Sequence, residues 1–175
     1  MSERPALVVR RLARLRVPLG FVFGAAVLWL ARPTGSTLAL GTLVALVGEG
    51  VRIWAAGHLN KAREVTSSGP YRWFAHPLYV GSSVMGAGLA IAGGSAIVAV
   101  LIAAYLGITL TAAIRNEEAF LGNTFGDRYE RYRREGLVDR QRRFSLRLAM
   151  ANREYRAVVG LTIAVLLLVL KAAYN

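Results

Sequence analysis

Residues 78–114 read LYVGSSVMGAGLAIAGGSAIVAVLIAAYLGITLTAAI, and this stretch of 37 residues contains no charged side chain. A single helix of that length would be about 55 Å long, whereas the hydrocarbon core of a bilayer is about 30 Å thick. The stretch therefore has to fold back on itself. Gly93, Gly94 and Ser95 provide a break, which predicts a tight helical hairpin with arms Leu78–Ala92 and Ala96–Ile114.

The rest of the chain contains further apolar runs of helical length. Hydrophobic residues make up 55% of the sequence, too many for an ordinary soluble domain. Together with the hairpin, these runs predict an all-α integral membrane bundle of five transmembrane helices. Besides the two arms of the hairpin, the predicted spans are Val17–Ala31, Thr34–Gly48 with an extension past Glu49 and Arg52 to Ala56, and Ala157–Leu170.

The formal net charge of +12 comes almost wholly from arginine, and the basic residues fall on alternate sides of the predicted spans. The N-terminal arm and the segments 57–77 and 115–156 are basic, whereas the RPTG and GGS turns are nearly neutral. The positive-inside rule then predicts a cytoplasmic N-terminus and an outer C-terminus, in the inner membrane of a cell. The arginines lie beside apolar runs, which favours anionic lipid headgroups over nucleic acid as their partners.

We interpret the whole chain, residues 1–175, as one membrane domain. The first span is expected to be retained, because no small-residue cleavage site follows it. A helical segment after the fourth span, continuing into an interfacial helix, is expected to cover the cytoplasmic face. The predicted parts are a basic arm (1–16), two spans (17–56), a core (57–132), an amphipathic interfacial segment (133–156) and a last span (157–175).

Turn signals, aromatic rings and a histidine are crowded into residues 68–82, SGPYRWFAHPLYVGS. Gly69-Pro70 predicts a turn, and Pro77 predicts a helix start with His76 near its N-cap. The free backbone amides of such a start favour an anion or an oxygen ligand. An interfacial aromatic belt with a solvated histidine is the simpler alternative.

Two adjacent carboxylates, Glu117 and Glu118, follow Arg115 at the end of the second arm of the hairpin. A helix end emerging into lipid headgroups would explain them without any function. However, the hairpin returns the end of this arm to the side where the first arm begins. We therefore expect both carboxylates to approach His76 and Tyr79.

Glu49 and Arg52 lie inside the second predicted span. Ionised groups at membrane depth cost roughly 2.5–3.5 kcal/mol each on insertion scales, and the i, i+3 spacing places the two on one helix face. A mutually neutralising structural pair and a contact with substrate are both compatible with this pattern. Small residues also recur along the third span, at Ser82, Gly86, Ala90 and Gly94, which predicts a close helix contact.

Two motifs resemble those of the isoprenylcysteine carboxyl methyltransferase and phospholipid methyltransferase family. SGPYRWFAHPLYVGS is similar to its Gly-Pro-Tyr and Arg-His-Pro-x-Tyr-x-Gly signature. EEAFLGNTFGDRYERY, residues 117–132, is similar to its Glu-Glu-x-x-Leu and Phe-Gly-x-x-Tyr-x-x-Tyr motif. One departure is Ala75, where the family usually has arginine or another polar residue.

The resemblance implies a membrane methyltransferase that uses S-adenosylmethionine and a lipophilic acceptor at the cytoplasmic face. It implies neither a metal nor a nucleophilic triad. The cofactor-binding residues that it implies are Tyr71, His76, Pro77, Leu78, Tyr79 and Glu117, with Arg63, Glu64, Val65 and Thr66 upstream.

The chemistry of the methyl acceptor stays open at this stage. A carboxylate acceptor would be paired with a cation, for which Arg115 is the candidate catalytic residue. An amine acceptor would need a base, for which Glu118 or His76 could serve. Glu49 and Arg52 are the candidates for further substrate contacts.

Two other functions are compatible with parts of the sequence. Sterol-type membrane reductases, which use NADPH, have a related Gly-Pro-Tyr and His-Pro organisation, but their downstream motif differs from the Glu-Glu pattern found here. A non-catalytic membrane scaffold of the same fold is the second alternative, and Ala75 is the feature that favours it. Cofactor binding would separate all three.

Overall fold

The computed structural model describes residues 20–60, 65–135 and 143–174, and within these ranges every regular element is helical. A turn of 3-10 helix at Gly69–Arg72 precedes the third α-helix. The α-helices are α1 (Gly20–Leu30), α2 (Gly35–Ala56), α3 (Pro77–Ala92), α4 (Ala96–Phe125), α5 (Asp127–Glu135), α6 (Leu146–Ala151) and α7 (Tyr155–Tyr174).

Three of these helices, α2, α4 and α7, are long and apolar enough to cross a membrane. This confirms the prediction of an all-helical membrane protein. The described part of α1 and the whole of α3 are apolar but shorter, so the arrangement in five spans stays a prediction. At 30 residues α4 is about 45 Å long, so it extends beyond the thickness of a hydrocarbon core.

The closest helix contact joins the backbones of α2 and α3. A Cβ atom added to Gly48 would lie 2.3 Å from the backbone nitrogen of Met85, and one added to Gly88 would lie 2.3 Å from that of Ala45. Only glycine permits such an approach, because its lack of a side chain leaves the two backbones in direct contact. Gly81, Met85, Gly88 and Ala92 face α2, whereas Gly86 of the row predicted from the sequence packs closely on α4, where an added Cβ would lie 2.2 Å from the side chain of Leu106.

Two polar contacts join the loops at one end of the bundle. The backbone N–H of Arg32, between α1 and α2, donates a hydrogen bond to the carbonyl of Gly93, between α3 and α4, at 2.7 Å. Lys171, near the end of α7, donates to the carbonyls of Leu28 and Trp29 at the end of α1. The short loops between helices thus meet at one end, which leaves the described parts of the longer segments, 57–60, 65–76, 126–135 and 143–154, for the other.

At that other end, the described part of the segment predicted as an interfacial helix is not one continuous helix. Residues 136–142 lie outside the described residues, and the remainder forms only the six-residue α6 before α7 begins at Tyr155. Asn152 donates two hydrogen bonds to the carbonyls of Ala56 and Leu59, which holds this segment against the end of α2. Gly126, at φ 46°, ends α4, whereas Gly122 does not interrupt it.

Candidate active site

The 3-10 turn at Gly69–Arg72 places Tyr71 at the candidate site. Gly69 adopts a φ of +58° and packs directly on the ring of His58, where an added Cβ would lie 2.6 Å from the imidazole. Both the positive φ and the close packing require glycine. The turn buries Pro70 and Tyr71, so its position is set by contact with the end of α2.

His76 occupies the N-cap position of α3, and Pro77 follows as the first helical residue, as the sequence predicted. Proline fits there because it has no N–H to leave unpaired. The His76 side chain makes no capping hydrogen bond to the helix, so its ring is directed elsewhere. It packs against the ring of Tyr79, with 5.7 Å between the centroids.

The return of α4 brings both glutamates to this histidine, as expected from the hairpin. Nδ1 of His76 lies 3.6 Å from Glu117 Oε2, and Nε2 lies 3.5 Å from Glu118 Oε1. These distances exceed those of ordinary hydrogen bonds. The Nε2 atom is buried and has no hydrogen-bond partner within the described ranges, which leaves a donor or acceptor position for a bound ligand.

The two neighbouring carboxylates favour the protonated form of His76. The Glu117 carboxylate beside the imidazole raises the pKa of His76 above its ordinary value of 6.5, burial opposes this effect, and Glu118 adds to the rise. A raised pKa in the folded state means that the folded protein binds this proton more tightly than the unfolded chain does. The contribution of protonated His76 to the stability of the fold is therefore fully present below about pH 6.5 and is lost as the pH rises through the raised pKa.

This linkage predicts a pH dependence of stability that a His76→Gln variant lacks. We expect the melting temperature of the wild type, relative to the variant, to fall as the pH rises above about 6.5. The groups facing the imidazole are Glu117, Glu118 and Tyr79. Thermal unfolding of both proteins across this range measures the effect, and parallel curves would contradict it.

A pocket of about 390 Å³ lies between the turn, the start of α3 and the end of α4. Its volume falls within the usual range for small-molecule sites. Seven of the ten predicted cofactor-binding residues line it: Val65, Thr66, Tyr71, His76, Leu78, Tyr79 and Glu117.

The remaining three predicted cofactor residues are Pro77, Arg63 and Glu64. Pro77 is fully buried and acts at the helix start. Arg63 and Glu64 lie outside the described residues. Two of the aromatic residues expected near the site, Trp73 and Phe74, do not line this pocket and are largely exposed.

The two predicted catalytic residues are placed differently. Glu118 contacts His76 and lines a second, polar cavity of about 550 Å³ next to α5. Arg115 is exposed and lines none of the cavities described here. At about 100° per residue, its side chain leaves α4 roughly 160° away from that of Glu117. The helix therefore directs Arg115 away from the pocket.

Glu49 and Arg52 form a largely buried cluster with Ser82 of α3 and Glu154, which precedes α7. Arg52 Nε lies 3.6 Å from Glu49 Oε2 and 2.7 Å from Glu154 Oε1, and its Nη1 donates to Ser82. The cluster joins α2, α3 and the residue just before α7, and neither Glu49 nor Arg52 lines the pocket described above. This geometry matches the structural pair proposed from the sequence, while a contact with substrate stays a prediction.

A third cavity, of about 650 Å³, is an apolar groove between α3 and α4. It shares Ala75, His76 and Tyr79 with the smaller pocket, so the two cavities meet at the start of α3. Small side chains form much of both walls, including Ser83, Gly86, Ala87 and Ala90 from α3 and Ala99, Ala103 and Gly107 from α4.

Several residues that line the pocket were not predicted as site residues. Leu121 and Tyr129 belong to the motif of residues 117–132, and that motif could have identified them. Phe120 lies one helical turn after Glu117, so helical spacing could have identified it as well. Asn116 and Leu59 carry no sequence signal for this site.

Comparison with known proteins gave two matches. The profile of the family described as phospholipid methyltransferase matches residues 36–128. The chain is also 31% identical over 99 residues to the nickel-cobalt-cadmium resistance protein NccN of Alcaligenes xylosoxydans xylosoxydans. That alignment covers 55% of this chain and 45% of the relative, so this chain matches less than half of that protein. No solved structure matches the chain significantly.

Proposed function

Since this chain belongs to the phospholipid methyltransferase family, we propose that it transfers a methyl group from S-adenosylmethionine to a lipophilic acceptor. The observation that carries the proposal is the convergence of two motifs on one pocket. Residues in the ranges 65–79 and 116–129 contribute to the wall of this pocket, although most of the hairpin of α3 and α4 lies between the two ranges in the sequence. His76 and Glu117 are the polar centre of that pocket.

The residues of the pocket fit the cofactor. S-adenosylmethionine carries an ammonium and ribose hydroxyls, for which the Glu117 carboxylate is the acceptor in the pocket wall. The Tyr71 and Tyr79 rings offer aromatic surface to adenine and to the sulfonium. The buried Nε2 of His76, which has no hydrogen-bond partner among the described residues, offers a further polar contact.

The cofactor, when bound, supplies a methyl group on a positively charged sulfur. Methyl transfer needs mainly correct positioning and the exclusion of water. His76 and Glu117 would orient the cofactor, while the apolar walls of the pocket, such as Leu78 and Phe120, would exclude water. Glu118 is the candidate base for an acceptor that has to lose a proton.

The α3/α4 groove gives a lipophilic acceptor a path to the pocket. Its walls are almost entirely apolar, and it meets the pocket at Ala75, His76 and Tyr79. The small side chain of Ala75 keeps this junction open, whereas the larger residue usual in the family would narrow it. An acceptor already dissolved in the bilayer could enter between the two helices.

The proposed arrangement in the membrane has five spans. α1 and α3 would cross together with α2, α4 and α7, and the candidate active site would face the cytoplasm, as the arginine distribution predicts. Lys171 and the short loops would then lie at the outer face.

The family match does not favour the alternative of an NADPH-dependent reductase. The relative NccN is named for resistance to nickel, cobalt and cadmium. A methyltransferase that modifies membrane lipids is compatible with such a role, and we propose no direct metal chemistry for this chain.

Calorimetric titration of the detergent-purified protein with S-adenosylhomocysteine tests the proposal, with NADPH as the control. We expect micromolar binding of S-adenosylhomocysteine and none of NADPH. Binding of NADPH alone would indicate a reductase. An absence of binding by either compound, in protein with a cooperative thermal transition, would leave the scaffold as the better description.

A further inference from the structure

Four aromatic rings form a continuous row at the end of the bundle where the candidate active site lies. Trp73 packs on Trp54, with 5.6 Å between the ring centroids. The imidazole of His58 lies 6.3 Å from the ring of Trp54 and 6.1 Å from that of Phe144. His58 is buried, whereas the other three rings are exposed to different degrees. The row therefore presents aromatic surface to its surroundings on both sides of a buried centre.

Cations flank the exposed side of this row. The guanidinium carbon of Arg72 lies over the ring of Trp73, 5.7 Å from its centroid. Arg143 and Arg147 are exposed near the other end of the row. The one carboxylate of the segment 143–156, Glu154, is buried and paired with an arginine of α2. The surface is therefore cationic, and we call it the aromatic rim; it consists of Trp54, Arg72, Trp73, Arg143, Phe144 and Arg147.

This combination of side chains fits the headgroup layer of a bilayer. Tryptophan is enriched where membrane helices meet water, and arginine near the cytoplasmic surface is attracted to anionic lipids. The rim also lies where the proposed spans end. Trp54 is two residues from the end of α2, and α3 begins four residues after Trp73. Charge and depth both indicate anionic headgroups as the partner of the rim.

The buried ring of the row, His58, supports the turn that leads to the cofactor pocket. Its Nδ1–H donates a hydrogen bond to the carbonyl of Trp54 at 2.9 Å, which fixes the imidazole against α2. Gly69, at the start of the 3-10 turn, packs directly on this imidazole. The start of the turn is therefore held by the interior of the protein.

The end of the same turn belongs to the rim. Tyr71 is 7% exposed and lines the cofactor pocket, whereas Trp73, two residues later, is 64% exposed. Arg72, between them, is exposed as well. A partner that contacts Arg72 and Trp73 from outside therefore acts directly on the segment that places Tyr71 at the pocket.

Given the methyltransferase function proposed above, we propose that anionic lipid headgroups bind the aromatic rim and thereby hold the Gly69–Arg72 turn in its cofactor-binding position. The docked turn places Arg72 and Trp73 together on the rim, so headgroups that bind both side chains favour the docked turn over a displaced one. A ligand shifts such an equilibrium by its difference in affinity for the two states. The protein then binds its cofactor more tightly in a membrane that contains anionic lipid.

Calorimetric titration with S-adenosylhomocysteine in lipid nanodiscs tests this inference. One set of discs contains phosphatidylcholine alone, and the other contains equal amounts of phosphatidylcholine and anionic phosphatidylglycerol. S-adenosylhomocysteine has no net charge near neutral pH, so a negative surface does not concentrate it. We expect its Kd to be about fivefold lower in the anionic discs, because the attraction of one arginine to an anionic surface corresponds to roughly this factor.

Matched variants separate the rim from similar side chains elsewhere. Arg72→Gln and Trp73→Ala remove contacts of the rim, and neither residue lines the cofactor pocket. Arg32→Gln and Trp29→Ala make the same changes at exposed positions at the opposite end of the bundle. We expect both rim variants to lose the dependence on phosphatidylglycerol and both controls to keep it. A dependence that persists in Arg72→Gln and Trp73→Ala would overturn the role of the rim.

The same titrations distinguish this inference from the proposed function. If S-adenosylhomocysteine binds the wild type equally well in both kinds of disc, the methyltransferase proposal stands and the control by lipid is wrong. If it binds in neither kind of disc, while the protein still unfolds cooperatively, the proposed function fails and the inference fails with it.

Discussion

Replacing Glu117 by glutamine is expected to weaken binding of S-adenosylhomocysteine at least tenfold. A hydrogen bond to a charged group contributes about 1.5–3 kcal/mol, and tenfold in Kd corresponds to about 1.4 kcal/mol. Glu117 lines the pocket and lies beside His76, so the substitution removes a charge from the polar centre of the site. His76→Ala should produce a loss of similar size.

The control for this experiment is Glu130→Gln. It makes the same change of charge on α5, at an exposed side chain that does not line the cofactor pocket. We expect its affinity for S-adenosylhomocysteine to match that of the wild type. Calorimetry gives the affinities, and thermal unfolding shows that each variant is folded. Wild-type affinity in both Glu117→Gln and His76→Ala would refute the assignment of this pocket to the cofactor.

The second large effect concerns the contact between α2 and α3. Gly88→Val is expected to destabilise the protein by about 3 kcal/mol or more, because valine would place its Cβ 2.3 Å from the backbone of Ala45. The neighbouring atoms are backbone atoms, which cannot move aside as a flexible side chain can. The two helices would have to separate along the contact that also includes Gly48.

Gly107→Val is the matched control, since it introduces the same β-branched residue into a helix at a position with open space. The difference in melting temperature between the two variants measures the contact itself and cancels the effect of valine on helix propensity. We expect Gly88→Val to unfold well below Gly107→Val, or to yield no folded protein. Equal melting temperatures would mean that the two backbones are farther apart than described.

The sequence alone was sufficient for the class of fold and for most of the pocket. Long charge-free runs predict membrane helices because no other element satisfies its own backbone hydrogen bonds in lipid. The position of His76 before Pro77 followed from local backbone chemistry, and the approach of Glu117 followed from the length of the hairpin. These features depend on spacing along the chain, which a sequence contains.

Other features depended on which face of each helix turns inward. The glycines of α3 that contact α2, Gly81 and Gly88, lie beside the predicted row, and Gly86 of that row faces α4 instead. Small residues occur on several faces of α3, so only the packing partners select among them. Arg115 and Glu118 are three residues apart and lie on the same side of α4, yet only Glu118 contacts His76, whereas Arg115 is exposed and lines none of the cavities described here. The partner of Arg52 at 2.7 Å, Glu154, is separated from it by 102 positions, and no local pattern could indicate it.

The sequence by itself therefore determined that this is a helical membrane protein with a His-Pro turn facing two glutamates. Only the tertiary structure decided that an apolar groove meets the pocket at Ala75 and that Glu118 lines a separate polar cavity. The physical reason is that helix length and capping are set by neighbouring residues, whereas cavities and their charge arise between helices. Their shape depends on helix rotation, which is set by packing across the whole bundle.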